Sequence, residues 1–174
     1  MNKKIIKKVS LIVLLIFAGS FFNYFYPQKL NSNIKITKIV VLKSKHELQI
    51  FQNNDLIKTY KISLGRHPEG AKHFEGDDKT PEGNYFINDK NPNSNYHLNL
   101  GISYPAKKDI AYAKKYGKSP GGAIKIHGLK NGLGFIGKLH RLFDWTHGCI
   151  AVTNREIEEL YKHVAIGTPI QIKP

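Results

Sequence analysis

From Ile34 onward the chain is cut into short apolar runs, and most of them end at a turn signal. Ile34, Ile36, Ile39, Val40 and Val41 are β-branched and partly alternating. Leu48, Ile50 and Phe51 follow, then the turn residues Asn53-Asn54-Asp55, then a second alternating run from Leu56 to Leu64. A period of two on both sides of a turn predicts a β-hairpin over residues 47–64. Residues 65–83 are rich in Gly, Pro, Lys and Asp and predict a long loop ending in Thr80-Pro81-Glu82-Gly83. Further short strands are predicted at 85–87, 97–102, 123–126 and 169–172. The expected architecture is mainly β: one sandwich- or barrel-like domain with short helices.

Two helices are expected. One covers about 107–116. The other starts after Asn154, read as its N-cap. It carries Ile157, Leu160, Tyr161 and Val164 at i, i+3, i+4 and i+7, one apolar face. Gly167 stops it.

Charge separates the N-terminus from the rest. Of the 27 Lys+Arg residues, nine lysines precede the first acidic residue, Glu47. Much of the +14 net charge therefore belongs to the N-terminal segment. The remainder is only mildly basic and carries no nucleic-acid motif, so no nucleic-acid partner is expected. Lys3, Lys4, Lys7 and Lys8 precede an uncharged apolar run from Val9 to Phe22. This is the pattern of an export signal or a membrane anchor with its lysines in the cytoplasm. Ala18-Gly19-Ser20 offers a small-residue cleavage site. Phe21, Phe22, Tyr24, Phe25 and Tyr26 suit a membrane interface and favour a retained anchor. The expected organisation is a signal or anchor over 1–26, a linker over 27–33 and a domain over 34–174. The domain would lie outside the inner membrane, as a monomer. No cysteine stands directly after the apolar run, so lipoprotein anchoring is not expected.

Cys149 is the sole cysteine. An internal disulfide and a Cys-rich metal site are therefore impossible. Single cysteines are common as small buried hydrophobes, but the neighbours of this one change its weight. It sits in Thr146-His147-Gly148-Cys149-Ile150, with histidines at 127, 140 and 147. A thiol becomes a good nucleophile when a histidine stabilises its thiolate, and Gly148 allows close backbone approach. N–H groups around Gly148 and Cys149 can cradle an oxyanion. A solvent-reachable thiol of lowered pKa is expected. His127 and His140 both remain candidates for its base. The spacing of His127, His140 and His147 matches no zinc motif, and no metal or organic cofactor is expected.

Ile126-His127-Gly128 followed by Thr146-His147-Gly148-Cys149 resembles the L,D-transpeptidase catalytic-domain family of peptidoglycan enzymes. Lys79-Thr80-Pro81-Glu82-Gly83-Asn84-Tyr85, Ser63-Leu64-Gly65 and Ile102-Ser103-Tyr104-Pro105 extend the likeness. The run Asp144-Trp145-Thr146-His147-Gly148-Cys149-Ile150-Ala151-Val152-Thr153-Asn154 resembles one subgroup of it. The resemblance implies that Cys149 attacks a stem-peptide carbonyl and forms an acyl-enzyme, with peptidoglycan stem peptides as partners. It implies His127 as the base, oriented by the Gly128 carbonyl, and an oxyanion hole from the N–H groups of His147, Gly148 and Cys149. Tyr104, Arg141, Trp145 and Thr146 are candidate substrate contacts.

Many family members carry arginine two residues after the cysteine, where this chain has Ala151. Arg141 is a candidate replacement. His140 lies in a stretch with Gly134 and Gly137, expected to be a mobile loop. Transfer to an amine is the expected reaction, in cell-wall biogenesis or remodelling. Hydrolysis by the same cysteine and non-catalytic wall binding are its rivals.

Overall fold

The computed structural model describes residues 8–9, 12–14 and 29–174, in two compact units, 1–31 and 32–174. Most of the expected signal or anchor segment lies outside the described residues; the five described ones are helical. Among the described residues no helix is long and apolar enough to cross a membrane.

The second unit is built on eight strands. They are β1 (Lys38–Leu42), β2 (Glu47–Gln52), β3 (Asp55–Lys61), β4 (Gly83–Ser94), β5 (His97–Ile102), β6 (Lys125–His127), β7 (Ile150–Ala151) and β8 (Pro169–Lys173). All eight join one sheet in the order β3-β2-β1-β8-β4-β5-β6-β7. The sheet curls into a half-barrel. Two helices, α1 (Lys107–Lys115) and α2 (Asn154–His163), accompany it.

The expected hairpin forms: β2 and β3 pair antiparallel from Glu47↔Lys61 to Gln52↔Asp55. Alternation does the sorting, because Leu48, Ile50 and Tyr60 point inward and are buried. The expected strand at 85–87 is only the apolar start of β4. Its polar second half has no legible period and is held by pairing with β5, through two register shifts. The first half pairs with β8, so β4 links the two arms of the sheet.

Thr153, not Asn154, caps α2. Thr153 accepts the Glu156 N–H, and Glu156 Oε2 accepts the Thr153 N–H at 2.9 Å, a reciprocal capping box. Asn154 Oδ1 instead accepts the Leu129 N–H at 2.8 Å. That bond ties the start of α2 to the segment leaving β6. Ile157 and Leu160 bury the helix against β5 and β6. The strand that carries His127 is thus backed by a packed helix.

The stretch expected to be a mobile loop around His140 is built of turns and is anchored at His140. Residues 134–142 form 3-10 turns broken at Gly137, whose φ is 52°. His140 is 5% exposed. Its Nδ1 lies 3.1 Å from Ser63 Oγ, and its carbonyl 3.0 Å from the same hydroxyl. Local glycine content signalled flexibility; a long-range anchor to Ser63 overrides it.

Candidate active site

β6 and β7 run parallel, with Ile126 opposite Ile150 and His127 opposite Ala151. Cys149 immediately precedes β7 and so lies beside the His127 strand. A cavity of about 840 Å³ opens there, lined by both residues together with Tyr96, Asn99, Trp145 and His147.

The turn that presents Cys149 is held from both sides. Thr146 Oγ1 donates to the Cys149 carbonyl at 2.7 Å and accepts the Gly148 N–H at 3.1 Å. Gly148 has φ +118°, and a Cβ there would stand 2.4 Å from the Lys79 carbonyl oxygen. Only glycine fits. A Cβ on Gly65 would meet the Asp78 carbonyl oxygen at 2.2 Å, and the Gly65 N–H donates to Thr80 Oγ1 at 3.0 Å. Thr80 is fully buried, and the buried Lys43 ammonium holds its carbonyl at 3.1 Å and Glu82 at 2.7 Å. The segments 63–65 and 79–83 are therefore the bed on which the cysteine turn lies.

His127 is 5% exposed. Its Nδ1–H donates to the Gly128 carbonyl at 2.7 Å, which leaves Nε2 as the acceptor. The rings of Tyr96 and Trp145 flank it at centroid distances of 4.6 and 5.7 Å. Burial pushes its pKa down to about 4, against the Gly128 bond. The ring is neutral near pH 7.

Burial pushes the Cys149 thiol above its ordinary value, opposed by the Lys125 backbone N–H and the Lys125 and Lys72 charges. The Cys149 S–H, a weak donor, also points at the Ala123 carbonyl, with Sγ 3.6 Å from the oxygen. The thiol pKa is raised where the sequence led to the expectation of a lowered one. Desolvation of the thiolate outweighs its donors, and the neutral His127 offers no positive charge.

Two other expected contacts are relocated. Arg141 does not line the cavity. It is clamped by Glu156, Nη2 lying 2.6 and 2.7 Å from the two carboxylate oxygens. Tyr104 is buried in the core and donates to the Pro120 carbonyl at 2.8 Å. Neither residue lines the cavity. Trp145, Thr146 and His147 do line it. The His147 side chain is exposed and bonds Asp78 Oδ1 at 2.7 Å through Nδ1, keeping the carboxyl below its usual range. Asn99 also lines the cavity and carried no local signal, because nothing in the sequence marks a polar strand residue as a cavity floor.

Among the described residues no cluster of three or more His, Cys, Asp or Glu side chains is placed to hold a metal. The charged lining groups are Arg66, Lys125 and Lys130, with no carboxylate among the described lining residues.

Residues 36–172 match the L,D-transpeptidase catalytic domain family (YkuD), and the chain belongs to it. Bd1075 from Bdellovibrio bacteriovorus is similar at 27% identity and TM-score 0.56, over 83% of this chain and 50% of that one. The helical cell shape determining protein Pgp2 from Campylobacter jejuni shares the fold at 24% identity and TM-score 0.60, over 88% and 54%. An L,D-transpeptidase from Xylanimonas cellulosilytica shares it at 13% identity and TM-score 0.52, over 88% and 68%. This chain spans about half the length of the first two. No curated protein matches the sequence.

Proposed function

We propose that the protein is a peptidoglycan L,D-transpeptidase acting outside the inner membrane, held there by residues 1–26. The observation that carries the reading is the 2.7 Å His127 Nδ1–Gly128 bond, which leaves Nε2 as base in the cavity that Cys149 lines. The raised thiol and lowered imidazole describe a neutral resting pair. His127 then takes the thiol proton as sulfur attacks the stem-peptide carbonyl, rather than before it. The same proton goes to the leaving D-alanine amine, and a thioester remains. An acceptor amine reverses these steps.

The N–H groups of His147 and Cys149 serve the tetrahedral oxyanion. The Gly148 N–H, bonded to Thr146, braces the turn instead. Loss of one oxyanion donor typically costs about 10²–10³ in rate. The cationic lining suits stem peptides that carry free carboxylates.

Mass spectrometry of muropeptides incubated with the protein tests the reading. New cross-links, lost in Cys149→Ala, are expected. Shortened stems would make it a hydrolase with the same nucleophile. Unchanged muropeptides would leave a wall-binding module.

A further inference from the structure

His127 has a neighbour that the catalytic scheme leaves unused. Asn99 stands opposite His127 in the antiparallel pairing of β5 with β6. Side chains of such a pair project to the same face, with Cβ atoms about 4.5–5.5 Å apart. Asn99 lines the cavity and is 3% exposed. Its Oδ1 is buried and has no hydrogen-bond partner among the described residues. Leaving a buried acceptor unpaired typically costs about 1–3 kcal/mol, and since Asn99 lines the cavity, a small rotation of its side chain would let that acceptor meet a donor that the ligand brings.

The chemistry of that donor follows from the pair. Asn99 Oδ1 and His127 Nε2 are both acceptors on one face of the sheet, since Nδ1–H is committed to Gly128. Two adjacent acceptors fit a nitrogen that ends the step with two hydrogens. We infer that Asn99 Oδ1 receives the N–H of the scissile amide and holds that nitrogen beside His127. Resting on the transpeptidase reading, this makes Asn99 a specificity determinant for amide and amine groups.

The step balances. The Cys149 sulfur bonds to the carbonyl carbon and the C–N bond breaks. The thiol proton travels through His127 Nε2 to nitrogen, whose original hydrogen stays on nitrogen, hydrogen-bonded to Asn99 Oδ1. The departing primary amine carries both. In transfer, the nitrogen of an incoming amine bonds to the carbonyl carbon, keeps the hydrogen that it donates in a hydrogen bond to Asn99, and passes another through His127 to sulfur as the C–S bond breaks.

A matched substrate pair isolates this contact: a stem tetrapeptide ending in D-alanine, and its depsipeptide analogue ending in D-lactate. The analogue replaces the scissile N–H with oxygen and changes little else. For Asn99→Leu, release of D-alanine should fall about 10–100-fold, while release of D-lactate changes less than about twofold. Asn99→Asp keeps an acceptor and should retain more of the amide rate than Asn99→Leu. The ratio of the two rates does not depend on the folded fraction, and Asn99→Ala supplies a second acceptor-free variant should Asn99→Leu fold poorly. Equal losses on both substrates, or no loss on either, overturn the inference while leaving the transpeptidase reading intact. A wild-type protein that cleaves neither substrate overturns that reading, and this inference with it.

Discussion

The cavity has two walls, and each carries a buried histidine. One wall is the β5–β6–β7 floor with His127; the other is the 134–146 segment with His140. Both histidines are 5% exposed, and burial pushes both pKa values down to about 4. Burial and pKa therefore do not tell them apart. Their hydrogen bonds do. His127 has Nδ1 tied to the adjacent carbonyl, so Nε2 is its acceptor. His140 has Nδ1 between Ser63 and the Trp145 indole N–H, 3.5 Å away, and so acts as a post that pins the second wall to the sheet. In the proposed mechanism, the partner on the other ring nitrogen is what separates a base from a residue that holds the wall.

The walls also differ at the surface. The floor is backed by α2. The outer wall displays Phe135, Leu139, Leu142 and Phe143, with Phe135 85% exposed.

The largest expected effect separates the two histidines by function. His127→Ala should reduce acylation of Cys149 by substrate about 10²–10⁴-fold with an unchanged circular dichroism spectrum. His140→Ala should reduce it only about tenfold, through a looser cleft, yet lower the melting temperature more than His127→Ala does. The opposite ranking in both measurements would break the comparison.

Acid should act on both walls together. Each histidine is held neutral in the fold, below its unfolded value of about 6.5. The associated stability is fully present above about pH 6.5 and is lost as pH falls from there towards 4, on the order of 3 kcal/mol per histidine. Denaturant midpoints measured between pH 7 and 4 should show this loss, and His140→Ala should flatten it. The rate with His127 as base should rise through about pH 4 and stay level from about 5 to 7. An inflection near 6.5 would contradict the neutral buried ring.

Glu156 tests how the outer wall is fastened, since it holds Arg141 and caps α2 at once. Glu156→Ala should cost about 2 kcal/mol in chemical denaturation, from the lost cap and the stranded guanidinium. The smallest effect belongs to Tyr104→Phe. It removes one hydrogen bond to Pro120 and should cost about 1 kcal/mol with substrate turnover within about twofold. A large loss of turnover would return Tyr104 to the substrate site.

Much of this molecule was legible without coordinates. Alternation over 47–64 specified the β2–β3 hairpin, because a register slip of one residue would turn Leu48 and Ile50 to solvent. The i, i+3, i+4 spacing of Ile157, Leu160 and Tyr161 specified α2. The His-Gly-Cys segment named the candidate nucleophile by residue type and neighbours, whereas His127 was singled out over His140 by the family resemblance. Tertiary structure alone decided the rest. Glycines around His140 read as flexible until Ser63, 77 residues away, held it. Asn99 read as one more polar strand residue until pairing set it beside His127. Arg141 read as a spare charge until Glu156 took it. The thiol read as activated until burial raised it. These outcomes depend on which distant groups share a desolvated space, and local pattern carries no record of desolvation.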